Sequence, residues 1–159
     1  MKGDNNILEI LNGLLAGELS ASDQYLIHGE MYSDFGLNHL AEKSLHESEH
    51  ERQHARALIQ RILFLEGTPN LSKREALNIG GSVPEMLKAD LGVEYHVVGE
   101  LKKAMAACEK AQDYVTRDML AIQLEDTEMD HAYWLEQQLR LVSLVGLENY
   151  QQSQMKPGI

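Results

Sequence analysis

Four long segments of the chain repeat apolar residues at three- and four-residue intervals, a pattern typical of amphipathic helices. No stretch alternates apolar and polar residues with a period of two, so strands are not expected. A short additional helix is predicted after Gly146. The chain is therefore predicted to be all-α and to form a single domain over residues 1–159. The predicted helices run from about Asn6 to Asp34, Leu37 to Glu66, Pro84 to Ala111, Asp113 to Val145 and Leu147 to Met155.

Two tight turns and one long connection determine the predicted topology. Gly36 separates the first two segments, and Gly67 begins a Gly-Thr-Pro-Asn sequence that ends the second. Ser82 and Glu85 have the spacing of a capping box at the start of the third segment. The connection over residues 67–82 spans about 53 Å when extended, which exceeds the roughly 42 Å of a 28-residue helix. The sequence therefore predicts two antiparallel hairpins joined by one long crossover, in a four-helix bundle.

Acidic residues interrupt the apolar stripe of each predicted long helix. Glu18, Glu51, Glu94 and Glu128 all fall among apolar residues at helical spacing. A buried carboxylate without a partner is unfavourable, so each of these residues requires a proton, a hydrogen-bond donor or a cation. A single one of them is explained equally well as a satisfied polar group in the core. Four such acids in four helices favour a shared site.

Distance from the turns distinguishes among three Glu-x-x-His pairs, which begin at Glu47, Glu51 and Glu128. Residues equally far from the turn of an antiparallel hairpin lie at the same height. Glu18 and Glu51 are equally far from the first turn, and Glu94 and Glu128 are equally far from the second. Glu47 is expected about one helical turn away from that level, and it is left out of the predicted set.

The predicted set combines one Glu from each of two helices with Glu-x-x-His from each of the other two, where the histidines are His54 and His131. This is the established ligand pattern of di-iron carboxylate bundles. Two divalent ions and four carboxylates give a neutral buried centre. Imidazole and carboxylate ligands suit iron or manganese, and redox chemistry with oxygen favours iron.

Composition and charge limit the classes of partner and the cellular location that are expected for this protein. A formal net charge of −11 disfavours a nucleic acid as the main partner, since a polyanion is repelled. The charge suits a protein that attracts cations, although solubility alone explains it equally well. No apolar run is long enough to span a membrane, and the N-terminus lacks the plan of a signal peptide. One cysteine, Cys108, cannot form an internal disulfide. We therefore expect a cytoplasmic protein.

Several strings of the sequence carry a family resemblance: MKGD, HESEHERQHA, RILFLEGTPNL, DYVTRDML, HAYWLEQQL and LENYQQSQM. Through them the chain resembles bacterioferritins and their close bacterial ferritin relatives over essentially its whole length. The resemblance implies a ferritin-like bundle, a homomeric shell of 24 subunits, and a di-iron ferroxidase centre in each subunit. Such a centre oxidises Fe²⁺ with O₂ or H₂O₂, and the ferric product is stored in the shell. A ferredoxin-type reductant for iron release belongs to the same expectation.

The resemblance also assigns roles to individual residues. The family's six di-iron ligands match Glu18, Glu51, His54, Glu94, Glu128 and His131, with Glu51 and Glu128 as the bridging pair. The Glu128/His131 pair lies one residue later than in the family, which implies a small insertion upstream. Tyr25 matches a tyrosine that supplies an electron, with a hydrogen-bonded core aromatic as the alternative reading.

Two further positions depart from the family pattern. An inner-surface iron site in the family uses a histidine and an acid, whereas this chain has His46 and His50. This i, i+4 pair can still hold a metal, and two solvated histidines remain the alternative. Bacterioferritins ligate haem b through a methionine at position 52, where this chain has Arg52, which has no thioether. The homomer is therefore expected to bind little or no haem.

Other functions remain open on the sequence alone. The chain is also compatible with a haem-carrying or structural subunit of a mixed shell that contains a methionine-bearing bacterioferritin partner. A DNA-protecting mini-ferritin would place its ligands between subunits, and a rubrerythrin-like peroxidase would need a four-cysteine site. Neither agrees with the Glu-x-x-His pairs within the helices and a single cysteine. A ferroxidase that retains all six ligands is the favoured prediction.

Overall fold

The predicted all-α bundle is confirmed by the computed structural model, which describes residues 1–155. The last four residues of the predicted domain lie outside the described residues. No strand occurs in residues 1–155, and no helix there has the length and apolar character needed to cross a bilayer. The helices are α1 (Asn5–Asp34), α2 (Asn38–Phe64), α3 (Val83–Lys110), α4 (Tyr114–Glu125), a π-helical segment (Asp126–Ala132), α5 (Tyr133–Val145) and α6 (Leu147–Ser153).

Side-chain caps define where three of these helices begin. The carboxylate of Asp4 accepts hydrogen bonds from the first turn of α1, including one of 2.8 Å from the Asn6 N–H. Ser82 caps α3 through the Glu85 N–H, and Asp113 caps α4 through the Thr116 N–H. These bonds satisfy backbone donors that have no partner within the helix, which explains why the helices begin there.

The hairpin of α1 and α2 is held by close backbone approach and by reciprocal hydroxyl bonds. A Cβ atom at Gly29 would lie 2.7 Å from the side chain of Leu45, so only glycine permits this contact. The Ser22 hydroxyl donates to the Ser48 carbonyl at 2.8 Å, and the Ser48 hydroxyl donates to the Ser22 carbonyl at 2.7 Å. These contacts fix the register in which α2 faces α1.

The core consists of two apolar clusters separated along the bundle. One cluster contains Leu11, Leu58 and Leu101, and the other contains Tyr32, Leu40 and Leu87. Along each long helix, buried polar residues lie between the two clusters. Burial of the apolar side chains therefore stabilises both ends of the bundle and holds a polar layer at its middle.

The crossover is anchored to this polar layer by His28. The Gly80 N–H donates to Nε2 of His28 at 3.1 Å, so this nitrogen carries no proton. The proton must then be on Nδ1, which lies 2.8 Å from the buried Asp90 carboxylate. Gln24 donates to the same Asp90 oxygen and accepts from the Asn78 N–H. The crossover is thus tied to both α1 and α3 at one point.

Candidate metal centre

The structure brings five of the six predicted ligands together in the polar layer. They form two overlapping groups, Glu18–Glu51–His54 and Glu51–Glu94–His131. Within each group the donor atoms lie within 4.8 Å of one another, and all five residues are buried. Because Glu51 belongs to both groups, its carboxylate lies between two possible metal positions. The five residues come from α1, α2, α3 and the π-helical segment.

Both histidines direct Nδ1 toward the carboxylates of the two groups around Glu51. Nδ1 of His131 lies 2.7 Å from Oε1 of Glu51 and 3.4 Å from Oε1 of Glu94. Nδ1 of His54 lies 3.6 Å from Oε2 of Glu51 and 3.7 Å from Oε2 of Glu18. Nδ1 is therefore the atom that each ring offers to a metal.

Four donor atoms of this cluster are buried and have no aligned hydrogen-bond partner among the described residues. They are Glu18 Oε2, Glu51 Oε1, His54 Nδ1 and His131 Nδ1. The short His131–Glu51 contact is an ion-pair distance without hydrogen-bond alignment, so the two atoms are near each other but not bonded. Buried polar atoms without partners are unfavourable unless something else satisfies them. Two divalent cations would satisfy all four, so the residues present fit a metal pair.

Burial and mutual repulsion shift the pKa values of the clustered carboxylates. Burial and then the charge of Glu51 raise the pKa of Glu18 well above its usual range. Burial also acts to raise the pKa of Glu51, but close contacts with Glu18, His131 and His54 bring it below its usual range. Burial and the charge of Glu51 raise the pKa of Glu94 to about 7. Without a metal, Glu51 is therefore the anion and Glu18 holds a proton.

His54 and His131 are in the protonated, positively charged form when no metal is present. Burial lowers the pKa of His54, but contacts with Glu18 and Glu51 outweigh it and raise the value to about 11. The pKa of His131 is also raised well above its usual range, because Glu47, Glu51 and Glu94 outweigh its burial. Metal binding must displace these protons, since imidazole binds a metal in its neutral form.

Tyr25 is a hydrogen-bond partner of the cluster. Its hydroxyl donates to Oε1 of Glu94 at 2.5 Å, and burial and the charge of Glu94 raise the pKa of Tyr25 well above its usual range. The core-aromatic reading of Tyr25 is therefore compatible with the structure. Its role as an electron donor stays a prediction.

The expectation that Glu128 shares the buried face with His131 is wrong. The Glu128 side chain is 43% exposed, and its carboxylate lies 3.4 Å from Nζ of Lys102. The reason is the π-helical segment Asp126–Ala132, in which hydrogen bonds span one residue more than in an α-helix. The predicted insertion upstream of His131 fits this extra residue. The wider turn keeps His131 in the centre and turns Glu128 to the surface.

The same segment brings Asp126 to the centre, which sequence reasoning missed. Oδ2 of Asp126 lies 3.1 Å from Nε2 of His54, the ring nitrogen that faces away from the cluster. A carboxylate on the second nitrogen fixes the orientation of a metal-binding histidine and increases its basicity. Asp126 is therefore placed to support His54.

Glu47 contacts the centre from one helical turn away, a contact that the turn-distance argument does not predict. It is 3% exposed, and its Oε2 lies 2.8 Å from Nε2 of His131. Burial acts to raise the pKa of Glu47, but His131 and Lys43 outweigh it and bring it to about 2. Glu47 is not in either group around Glu51. Glu47 contacts the set only at Nε2 of His131, the ring nitrogen that faces away from Glu51.

The remaining predicted residues lie on α2. Nδ1 of His50 lies 3.0 Å from Nε2 of His131, and the rings of His50 and His46 are 6.2 Å apart. His46 and Arg52 are both exposed. His50 thus connects the cluster to an exposed histidine, whereas Arg52 takes no part in the cluster.

The raised pKa of Glu18 gives a stability prediction for the metal-free protein. The folded state favours the protonated form, whereas the unfolded chain ionises near pH 4.5, so Glu18 destabilises the fold increasingly as pH rises above that value. In the presence of a chelator, Glu18→Gln should raise the free energy of unfolding at pH 7 by about 1–3 kcal/mol. The gain should shrink toward pH 4.5 in urea titrations. Glu9→Gln, on the exposed side of α1, is the control, and equal behaviour of the two variants would contradict the prediction.

Comparison with known proteins places this geometry in a family. Residues 8–145 match the model of the ferritin-like domain. A bacterial ferritin of Synechocystis is 55% identical over 155 residues, which cover 98% of this chain and 99% of the relative. A bacterial ferritin of Pseudomonas aeruginosa is 54% identical, with coverage of 98% and 100%. A bacterioferritin of Mycolicibacterium paratuberculosis is 39% identical, with 94% of each chain covered.

The matches extend over almost the whole chain and include every element that contributes to the cluster. The sequence resemblance to bacterial ferritins and bacterioferritins is thus confirmed. The chain belongs to the ferritin family.

Proposed function

We propose that this chain oxidises Fe²⁺ to Fe³⁺ at a di-iron centre inside each subunit and deposits the product in a 24-subunit shell. Family membership supports the coarser role in iron storage. The observation that carries the finer proposal is the set of four buried donor atoms without aligned partners, two on carboxylates and two on imidazoles. A non-catalytic shell subunit would have no need to maintain them, because they destabilise the metal-free protein.

The two groups around Glu51 suggest one iron position each. Glu18 and His54 would hold one ion, Glu94 and His131 the other, and Glu51 would bridge them. This assignment keeps five of the six predicted ligands and gives three carboxylates for four positive charges. Asp126 and Glu47 add two negative charges behind the histidines, and Lys43, 2.7 Å from Glu47, adds one positive charge. The loaded centre and its immediate surroundings would then be neutral, which a buried site requires.

The proposed reaction transfers two electrons from two Fe²⁺ ions to one oxidant. With O₂, two Fe²⁺ and two protons give two Fe³⁺ and one H₂O₂. With H₂O₂, two Fe²⁺ and two protons give two Fe³⁺ and two water molecules. The protein's part is to hold both ions close together in a buried polar layer, so that a single oxidant meets both. The Tyr25 hydroxyl holds Glu94 in place through their hydrogen bond.

Placement of the ligands within one chain distinguishes this proposal from a mini-ferritin. All members of the two groups around Glu51 belong to one subunit. Iron would leave the centre toward His50, which touches His131, and then toward His46, the proposed inner-surface site. Co-assembly with a haem-binding subunit and the ferredoxin-type reductant stay predictions.

Ferroxidase activity can be measured directly. Fe²⁺ is added without oxygen, and oxidation is followed by absorbance after oxygen is admitted. We expect a rapid phase that saturates near two irons per subunit. Glu94→Ala removes a ligand to one ion and should slow this phase at least about tenfold, since one ion is no longer held for the two-electron step. Glu9→Ala should behave as wild type. An equal rapid phase in Glu94→Ala and wild type would refute the centre.

The π-helical segment predicts opposite roles for two nearby acids. Asp126→Asn removes the carboxylate behind His54 and should weaken Co²⁺ binding, measured by titration of the visible absorption, by about 10–100-fold. Glu128→Gln is the matched control and should change the affinity less than about threefold, because its side chain faces Lys102 at the surface. The reverse ranking would restore Glu128 as a ligand and remove Asp126.

Haem content tests the consequence of Arg52. Shells assembled from this subunit alone, grown with added haem precursor, should show little or no Soret absorbance, because Arg52 has no thioether to ligate iron. Arg52→Met, which introduces a thioether at this position, should increase haem binding. A Soret band at half occupancy or more in the pure wild-type homomer would contradict this prediction.

A further inference from the structure

Three residues of α1 donate hydrogen bonds to two acids of α3. Nε2 of Gln24 and Nδ1 of His28 each lie 2.8 Å from the same oxygen, Oδ1 of Asp90. The Tyr25 hydroxyl donates to Oε1 of Glu94 at 2.5 Å. All five side chains are at most 3% exposed, so water hardly competes for these bonds. They therefore hold α1 and α3 in a fixed relation.

The order of these bonds shows how the two helices are aligned. Tyr25 pairs with Glu94, whereas His28, three residues later in α1, pairs with Asp90, four residues earlier in α3. The helices are thus antiparallel at this point, and the two acids lie one helical turn apart on the same face of α3. The bonds of Asp90 lie directly next to the bond between Tyr25 and Glu94.

The crossover determines how both donors to Asp90 are oriented. Oε1 of Gln24 accepts from the Asn78 N–H at 3.0 Å, which leaves the amide NH₂ group to face Asp90. Nε2 of His28 accepts from the Gly80 N–H, which leaves the ring proton on Nδ1, the nitrogen that faces Asp90. Two backbone groups of the crossover therefore keep both donor groups directed at one oxygen.

Asp90 is a buried acid that the metal cluster does not include. It belongs to none of the metal-binding groups found within residues 1–155. Burial raises the pKa of Asp90, whereas the bonds with His28 and Gln24 act to lower it. Burying a carboxylate is unfavourable even when it is bonded, so a neutral side chain would satisfy packing at lower cost. The visible effect of this acid is to join α1, α3 and the crossover.

The orientation of Glu94 depends on the alignment that Asp90 maintains. Oε1 of Glu94 meets the Tyr25 hydroxyl, and it also lies 3.4 Å from Nδ1 of His131. A shift of α1 along α3 by about 1 Å would lengthen the bond from Tyr25 beyond the range of a good hydrogen bond. Asp90 opposes such a shift, because its two donors lie on either side of Tyr25 in the sequence of α1.

We propose that Asp90 is a positioning residue for the metal centre, because it holds α1 and α3 at the height where the Tyr25 hydroxyl meets Glu94. Asp90 acts through Tyr25 and Glu94 and does not itself bind a metal. This inference rests on the proposed function, since it assumes that the cluster binds a pair of divalent ions. It extends the support of the centre from the clustered ligands to the crossover backbone at Asn78 and Gly80.

A double-mutant cycle in Co²⁺ binding tests whether Asp90 acts through Tyr25. The assembled protein is titrated with Co²⁺ without an oxidant, and the visible absorption gives the affinity and the stoichiometry. Asp90→Ala and Tyr25→Phe should each weaken binding by about three- to tenfold, since members of one hydrogen-bond network share their interaction energy. The double variant should bind about as well as the weaker single variant, because without the hydroxyl Asp90 has no bond to position.

Two milder variants keep the test independent of whether Asp90→Ala folds. Gln24→Met removes one donor to Asp90 at similar volume, and it should show the same dependence on the Tyr25 hydroxyl with a smaller loss of affinity. Asp90→Asn keeps an oxygen that accepts from Gln24 and His28, and it should recover most of the affinity lost in Asp90→Ala. This recovery separates the accepting oxygen of Asp90 from its charge.

Leu101→Ala is the matched control for loss of stability. Leu101 is also buried in α3, but it belongs to the apolar cluster that contains Leu11 and Leu58. The variant should destabilise the fold and change the Co²⁺ affinity by less than about twofold, because the cavity lies away from the centre.

Three results would overturn the positioning role of Asp90. They are wild-type affinity in both Asp90→Ala and Gln24→Met, losses that multiply in the double variant with Tyr25→Phe, and equal weakness of Asp90→Asn and Asp90→Ala. Each of these leaves the metal centre itself intact. Failure of the wild-type protein to bind about two Co²⁺ per subunit would instead overturn the proposed function.

Discussion

The structure depends on one electrostatic constraint, the burial of several carboxylates at the middle of a helical bundle with little positive charge to balance them. Glu18, Glu51 and Glu94 are each about 1% exposed. Their mutual repulsion is relieved in the metal-free protein by protons on Glu18 and on the two histidines and by the hydrogen bond from Tyr25 to Glu94. Such an arrangement is less stable than a well-packed apolar layer of the same size. It becomes favourable when divalent cations replace the protons, which links the stability of the fold to its proposed work.

The burial of the two apolar clusters has to offset the unfavourable free energy of this layer of buried carboxylates. Each packs the ends of all the long helices together, and neither includes a member of the cluster around Glu51. Local polar bonds then hold the helices in register where apolar packing is interrupted, as in the reciprocal serine pair of α1 and α2. His28 does the same for the crossover by bonding Gly80 and Asp90. The rigid ends and the hydrogen-bonded middle together keep the donor atoms at ligand spacing.

Much of this architecture could be predicted from the sequence, because apolar residues recur along it at helical spacing. The ends of the four long helices agree with the predictions within two residues, counting α4, the π-helical segment and α5 as one predicted helix. Five of the six predicted ligands lie close together, since in α1, α2 and α3 the helical period of 3.6 residues places the acids on the core face. The predicted position of Glu128 is wrong because the prediction assumes the same period of 3.6 residues in a segment where the helix is wider. The insertion was visible in the sequence, but whether a loop or a wider turn absorbs it depends on tertiary packing.

The contacts of Glu47 and Asp126 with the two histidines were not predicted, for a different physical reason. The comparison of distances from the turns treats a histidine as one point, whereas an imidazole has a nitrogen atom on each of two sides. Glu47 lies one turn from Glu51 and so reaches the far nitrogen of His131, and Asp126 reaches the far nitrogen of His54. A metal centre built from histidines therefore includes acids one turn away from the ligand layer.

The two sides of the centre also differ in what lies beyond them. Glu18 borders a groove between α1 and α3, whereas the far nitrogen of His131 touches His50 on α2. His50 in turn lies next to the exposed His46. Glu51 belongs to both donor groups and lies between these two sides, so a change at this one carboxylate would disturb both groups at once.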